Sequence, residues 1–571
     1  MPSANKPGFF KRIELVAYLM AIWSCLVLFL EPIFEYYVGS YQTIEFITAL
    51  ANILLLMLTI LSRVLSGEVQ QNRTVVYFDL VILILGSLLL IYQAKFVIFF
   101  LLIRQTWFIV QFLLFRAFEG KIYKLLMRNP PISLMLSFAA VILIGTILLM
   151  LPASSTEGYI THFVDALFTA TSATCVTGLV VMDTGSYYSL FGQIVILLLI
   201  QIGGLGIMTI STAFALMLGQ KISLNVQTLM HKVVGETPVI DVLKLLRSTV
   251  LVTVIIEIIG AVFLFIGFAK EMPTAQAIYY ALFHSISAFC NAGFSLWSNN
   301  LCSYVQSPLV NLSITFLIIL GGLGFAVLID IYHYFFAKGI IKKLTLHSKI
   351  VLSTTALLLI SGFLGLYISE YNSSMKGFTV ARRVLGSWFQ SVTARTAGFN
   401  TIDISLYSSA SVLITVILMF IGASPGSTGG GIKTTTFAVL ILSVVSMLTG
   451  KQDLVIFKRK ISLSNAREST TLATLALTII IVILFVLMLT EPFPFEQILF
   501  EAFSAFGTVG LSMGITAKLS YIGKLLITLL MYIGRIGPLT LIYALSIRNL
   551  QPRVTYAEET IPIGYDQLTF Q

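Results

Sequence analysis

The sequence predicts an all-α integral membrane protein. It consists of four tandem copies of one unit, a span, a short helix, a glycine loop and a second span, preceded by about four extra transmembrane helices. Three observations predict this. Of 571 residues, 57% are hydrophobic and only 11% charged, with a mean hydropathy of +0.96; a soluble chain carries about 25% charged residues. Second, the pattern L-F-x-x-x-S-A-x-x-x-x-G recurs at Leu167–Gly178, Leu282–Gly293 and Leu499–Gly510, with a degraded copy, one residue shorter, at Trp388–Gly398. The motif glycines are separated by 115, 105 and 112 residues, so four versions of one structural unit are covalently linked. Third, basic residues collect in alternate loops.

The elements follow in chain order. Residues 1–125 hold four apolar runs, near 13–31, 43–62, 74–92 and 96–116, and form an N-terminal bundle of four transmembrane helices. Basic residues precede the first run, and Gly39–Tyr41 is a poor and distant cleavage site, so the first span is retained. Lys95, Arg104 and Arg116 share one helix face, as in a voltage sensor, with Asp79 in the preceding span. Apolar residues fill the intervening turns, which leaves sensor relic, subunit contact and scaffold as readings. Residues 126–550 form the pore domain, with repeats at about 130–235, 236–345, 346–465 and 466–550; residues 551–571 form a cytoplasmic tail. Outer spans begin near Ile132, Val242, Ser348 and Thr470, and inner spans near Leu190, Pro308, Ala410 and Tyr521. Between them lie helices of about 12 residues, too short to cross: Thr161–Ala173, Thr274–Ala288, Thr379–Ala394 and Phe495–Ala505.

Charge fixes the orientation. Lys221, Lys338, Lys342, Lys343, Lys349, Lys451, Lys458, Arg459, Lys460, Arg467, Arg548 and Arg553 follow inner spans. Glu157, Asp165, Asp183, Glu271, Glu370, Asp403, Glu491, Glu496 and Glu501 lie on the glycine-loop side, with Lys376, Arg382, Arg383 and Lys518 as exceptions there. The positive-inside rule places the connectors and both termini in the cytoplasm of a multi-pass plasma (inner) membrane protein. This asymmetry explains the net charge of +10 without nucleic acid. The acidic loops raise the cation concentration at a pore mouth. Four cysteines, Cys25, Cys175, Cys290 and Cys302, have no zinc-like spacing, and Cys290–Cys302 is the candidate disulfide.

A ring of four short helices ending in glycine loops is how a cation filter is built, with carbonyl oxygens replacing the ion's water shell. The loops are Thr174-Cys175-Val176-Thr177-Gly178, Phe289-Cys290-Asn291-Ala292-Gly293, Arg395-Thr396-Ala397-Gly398 and Phe506-Gly507-Thr508-Val509-Gly510. The side chains of Thr174, Asn291, Thr396 and Thr508 are expected to brace their backbones. Helix C-termini aimed at the centre favour a cation. The third inner span is interrupted by Gly422, Ala423, Ser424, Pro425, Gly426, Ser427, Thr428, Gly429, Gly430, Gly431, Ile432 and Lys433, a composition that cannot stay helical. A flap that blocks the path is the functional reading; a helix break and a phosphate loop are the rivals, and Walker spacing is absent. Arg535, in mid-span, is costly there and faces a cavity or a partner, with Glu257 a conceivable counter-ion.

These residues resemble the Trk/Ktr/HKT superfamily of potassium transporters across about residues 125–550. The resemblance rests on the four degenerate loops, on Ser427–Lys433 and on Gly534-Arg535-Ile536-Gly537. It implies a pseudo-fourfold arrangement around one cation pore, with K+ held by carbonyls of Val176, Thr177, Asn291, Ala292, Thr396, Ala397, Thr508 and Val509. It also implies a gate at 422–433, a homodimer, and a cytoplasmic ring of nucleotide-binding, Rossmann-type regulatory subunits. Gly178 favours K+ as the transported ion, with a Na+-permeable or Na+-coupled transporter as the alternative. No organic cofactor is expected. The four N-terminal spans depart from the Ktr branch. A non-transporting scaffold or receptor is opposed by four filter-like loops. An enzyme is opposed by the scatter of His162, His231, His284, His333 and His347.

Overall fold

The computed structural model describes residues 41–65, 130–205, 242–336, 343–451 and 453–538, with positions 23, 79–85, 87 and 540. Apart from position 23, the spans expected near 13–31 and 96–116, Lys95, Arg104 and Arg116, the connectors around Lys221 and Lys338, and the tail all lie outside them. Of the N-terminal bundle, one helix is described in full, α1 (Tyr41–Leu65), over the second apolar run.

From residue 130 the same order of elements recurs. A long helix comes first: α2 (Pro130–Met150), α5 (Val242–Phe268), α9 (Leu346–Ser369) and α13 (Leu463–Thr490). A short helix follows: α3 (Phe163–Thr174), α6 (Thr274–Phe289), α10 (Val380–Thr393) and α14 (Phe495–Gly507). A second apolar helix closes each unit: α4 (Leu190–Gly204), α7 (Pro308–Leu323), α11 (Ser409–Phe420) and α15 (Tyr521–Ile536). The fourth long helix begins seven residues before the expected Thr470, because the Ser462 side chain caps it by accepting from the Asn465 N–H.

Local chemistry sets the boundaries. Ser189, Ser408 and Ser520 cap α4, α11 and α15 with side-chain oxygens. Pro273 and Pro494 precede α6 and α14, where a missing N–H costs nothing. Glu370 and Glu491 end α9 and α13 and reach across to the next caps. Glu370 accepts from the Ser408 N–H and hydroxyl at 2.9 and 2.8 Å, and Glu491 accepts from the Ser520 N–H at 3.1 Å and from its hydroxyl. These two carboxylates therefore join helices and are not free acids at a mouth, as charge counting suggested.

The second helices stop short. After α7, Gly324 adopts φ +92°, and the chain turns by 101° into α8 (Phe325–Phe336). A side chain there would meet the Pro425 carbonyl oxygen at 2.6 Å, so glycine is required for both conformation and space. In the third unit the break is the 421–433 loop, after which α12 (Thr434–Leu448) resumes. One departure from the all-α expectation is a hairpin between α12 and α13, β1 (Leu454–Ile456) with β2 (Arg459–Ile461). Its turn residues Phe457 and Lys458 have φ of 49° and 61°, as a tight hairpin requires.

The core lies around the short helices. Phe168, Phe283, Phe389 and Phe500, the motif phenylalanines, are fully buried. One buried ion pair joins the first unit to the last, Lys524 to Asp165 at 2.6 Å. The side chains are 359 residues apart in sequence.

Candidate cation pathway

Each short helix ends in an αR residue or turn, and the chain then reverses through a left-handed residue two positions before the motif glycine. These residues are Val176, Asn291, Thr396 and Thr508, with φ of 57°, 61°, 75° and 49°. A non-glycine residue in this region costs about 1–3 kcal/mol and persists only where its surroundings fix it. The glycines that follow, Gly178, Gly293, Gly398 and Gly510, have φ of 89°, 69°, 79° and 91°. Four loops of dissimilar sequence thus share one backbone path.

The bracing hydroxyls are those of the motif itself. Ser172 accepts from the Gly178 N–H at 3.1 Å and donates to the Leu179 carbonyl at 2.7 Å. Ser287 donates to Phe294 at 2.9 Å and Thr393 to Phe399 at 2.6 Å, while Ser504 accepts from the Gly510 N–H at 3.1 Å. Thr174, expected as a brace, corresponds in register to Phe289 and Phe506, and its hydroxyl has no partner among the described residues. The other three expected braces reach the loop at 421–433, although the Asn291 amide, oriented to satisfy its neighbours, also donates to the Ala288 carbonyl of its own short helix at 3.2 Å. Asn291 meets the Thr428 hydroxyl at 3.1 Å, and Thr508 accepts from the Gly430 N–H at 3.1 Å. A side chain at Gly429 would collide with the Thr396 hydroxyl. All three therefore contact the 421–433 loop.

The four motif glycines close a ring. A Cβ on Gly178 would strike the Ala292 carbonyl oxygen and Gly293; on Gly293, Ala397 and Gly398; on Gly398, Val509 and Gly510; on Gly510, Thr177 and Gly178. Each loop touches the next, and the last touches the first. The carbonyl oxygens at these contacts belong to Thr177, Ala292, Ala397 and Val509. All four glycines also line one cavity of about 530 Å³, on the side away from the 421–433 loop, with Asp183 and Asp403 in its wall. Both acids are partly occupied by N–H groups of their own loops, at 2.8 Å from Ser186 and 2.9 Å from Ser405.

The 421–433 loop lies beneath the ring. Its Ser424 and Thr428 N–H groups donate to Gly322 and Gly321 at 3.0 and 3.2 Å, and the Thr428 hydroxyl donates to the Phe289 carbonyl at 3.2 Å. The Gly426 carbonyl accepts from the Phe325 N–H at 3.1 Å. Lys433 turns back on the carbonyls of Gly429 and Gly430 at 2.8 and 3.4 Å. Arg395, at the start of the third glycine loop, donates to the Gly422 carbonyl at 3.3 Å. Arg535 donates to the carbonyls of Thr428 and Gly203, joining the loop to α4 through α15. Glu257 is not its counter-ion within 4 Å among the described residues. Glu257 meets Gln201 at 3.3 Å and the Cys290 thiol at 3.8 Å. Cys290 and Cys302 are both free thiols. The first is buried beside Glu257, and the second stands near the Asn400 carbonyl at 3.8 Å, so the candidate disulfide does not form.

Comparison with known proteins bears on this geometry. The family model described as "TrkH: Cation transport protein" matches residues 94–555. The chain belongs to the TrkH cation transport protein family. It is 42% identical over 448 residues to the Ktr system potassium uptake protein B of Bacillus subtilis (strain 168), covering 78% of this chain and 99% of that one. It is also 42% identical over 446 residues to the potassium/sodium uptake protein NtpJ of Enterococcus hirae, covering 76% and 98%. In fold it is similar to the crystal structure of the potassium transporter TrkH from Vibrio parahaemolyticus, with a TM-score of 0.60 at 17% identity over 89% of this chain and 99% of that one. As a family member it is an integral membrane protein of a transporter family and not of an enzyme family.

Lys524 and Asp165 had no signal that single-sequence reading could use, because neither lies in the repeated pattern. The bracing serines had one. They are invariant positions of the motif, with Thr393 as the hydroxyl-bearing variant in the degraded copy.

Proposed function

We propose that this chain is the membrane subunit of a potassium uptake system of the plasma membrane. Its four span–pore helix–span units stand in pseudo-fourfold order around one pathway. The observation that carries this is the closed ring of four left-handed glycine loops above a single glycine-rich loop. In this reading the carbonyls of Val176, Thr177, Asn291, Ala292, Thr396, Ala397, Thr508 and Val509 replace the hydration shell of K+. The hydroxyls of Thr174, Thr177 and Thr396, buried without a hydrogen-bond partner among the described residues, add polar lining near the same path.

The 422–433 loop is the gate. It lies in the path of an ion leaving the ring, and Arg535 places a fixed positive charge beside it, which raises the barrier for a cation. The pore domain spans 126–550 and both termini are cytoplasmic. The functional unit is a homodimer with a cytoplasmic nucleotide-binding ring; the description of the Bacillus relative as part of a "system" supports a partner chain. Release of the gate by that partner acts through the connectors carrying Lys343, Lys349, Lys458 and Arg459.

Sodium is the second reading, favoured by the printed name of the Enterococcus relative at equal identity. Uptake of K+ and Na+ into proteoliposomes holding the purified chain separates the two. Preferential K+ accumulation supports the first reading, equal rates support the second, and no flux of either ion with or without the regulatory subunit rejects both.

A further inference from the structure

The residue that follows the motif phenylalanine is different in each unit: Thr169, His284, Gln390 and Glu501. All four are polar, and all are at least 99% buried. A buried polar group left without a partner is costly, so each needs one. In every unit the partner lies on the chain just beyond the glycine loop. The Tyr188 hydroxyl meets Thr169 at 3.1 Å. His284 holds the Tyr280 carbonyl with Nδ1 at 2.7 Å, which fixes the proton there and leaves Nε2 to accept from Ser295 at 3.1 Å and the Leu296 N–H at 3.4 Å. The Gln390 amide, oriented to satisfy its neighbours, accepts from the N–H groups of Thr401 and Ile402 at 3.1 and 3.2 Å. Glu501 accepts from the Ser512 hydroxyl at 2.9 Å and from the Thr516 hydroxyl. Ser295, Ser512 and Thr516 all line the 530 Å³ cavity above the glycines.

We propose that this position sets ion specificity by holding the outer rim of each filter loop, and that Glu501 is its strongest member. The four side chains brace their rims unequally. Thr169 gives one neutral hydrogen bond to a residue ten positions beyond its glycine. Glu501 gives a carboxyl two hydroxyl partners within six positions of Gly510, and Ser512 in turn accepts from the Gly514 N–H at 3.0 Å. A filter discriminates between K+ and Na+ only while its carbonyls keep their spacing. Releasing the fourth rim therefore widens the range of ions accepted, although no brace touches the ion.

The inference rests on the uptake reading, and its test keeps the two apart. Wild-type K+ and Na+ uptake in proteoliposomes is measured first. Glu501→Ala is expected to raise the Na+:K+ uptake ratio about tenfold, the effect of losing roughly one hydrogen bond, while Glu501→Gln restores most of the preference by keeping an acceptor. Thr169→Val is expected to change the ratio less than Glu501→Ala. The double variant Ser512→Ala, Thr516→Val removes the partners without touching the short helix, and should reproduce Glu501→Ala if that protein fails to fold. An unchanged ratio in both overturns the inference while leaving K+ uptake intact. Should the wild type carry no K+, the uptake reading fails. Hydrogen exchange over residues 508–516 then decides the inference alone: faster exchange in the variants supports the brace, and equal exchange rejects it.

Discussion

Each glycine loop is tied to its own short helix, whereas the 421–433 loop is tied to neighbouring units as well as to its own. Ser172 bonds within Ser172–Leu179, and Ser287, Thr393 and Ser504 act over the same short distance. Beside Arg395 of its own unit, the lower loop draws anchors from Gly321, Phe289, Asn291, Thr508 and Arg535, which belong to the second and fourth units. The first arrangement makes a rigid shape from local sequence. The second makes a shape that depends on how separate units stand relative to each other. A selective element needs fixed spacing; a gating element needs contacts that a movement between units can break together.

Breaking the local side of this comparison should have the largest effect. Gly178→Ser forces a side chain onto φ +89° and against the Ala292 carbonyl oxygen of the next loop. The strain of about 1–3 kcal/mol falls on two filter quarters at once. The Na+:K+ uptake ratio should rise by about tenfold or more, read in the same proteoliposomes; an unchanged ratio would mean that the first loop is not part of the filter.

Next comes the heterologous side. Removing Gly429–Gly431 shortens the loop across the path and discards the Lys433 and Thr508 anchors. Basal K+ flux should rise, control by the regulatory subunit should weaken, and the ion preference should stay. Arg535→Ala loses two carbonyl anchors, each worth about 1.5–3 kcal/mol as a hydrogen bond to a charged group, together with the fixed charge. Its flux should rise less than that of the deletion, because the loop remains. Reduced flux in both variants, with normal folding, would show that these elements support the pore and do not close it.

How much of this was legible in the sequence depended on whether a feature repeats. Gly178, Gly293, Gly398 and Gly510 announced themselves by spacing, and the starts expected at Thr274, Pro308 and Tyr521 are those of α6, α7 and α15. The break at Gly422–Lys433 was visible because no helix tolerates that composition. What a single chain does not print is which side chain faces which loop. Thr174 was counted as a brace because it carries a hydroxyl, yet the register places it two positions too early. Glu370 and Glu491 were counted as mouth acids because they lie in the right loops, yet each spends its oxygens on the next helix cap. The pair Lys524–Asp165 closes the first unit onto the last, a contact that only the folded ring creates.

The smallest effect sharpens that last point. Burial acts to raise the Glu370 carboxyl, but hydrogen bonds from Ser374, Ser411 and Ser408 outweigh it and hold the group below the usual carboxylate range. A depressed folded value means stability that is present above the unfolded value and lost as pH falls through the folded one. The rim at α9 and α11 should therefore loosen only at pH below the ordinary carboxylate range of about 4.3. Glu370→Gln should lower the Tm at neutral pH by about 2 °C and flatten that acid limb. An acid limb identical to wild type would assign it to other carboxylates.

The ring of glycine contacts runs through one polypeptide, and this changes how such a pathway can drift. Were it assembled from four identical subunits, one codon change would fall on every quadrant simultaneously, and most experiments of that kind would be lethal. Here a change alters one loop and its contact with the next, and leaves the remaining loops as they were. Thr169, His284, Gln390 and Glu501 display that independence: four different buried side chains meet one structural demand within a single chain.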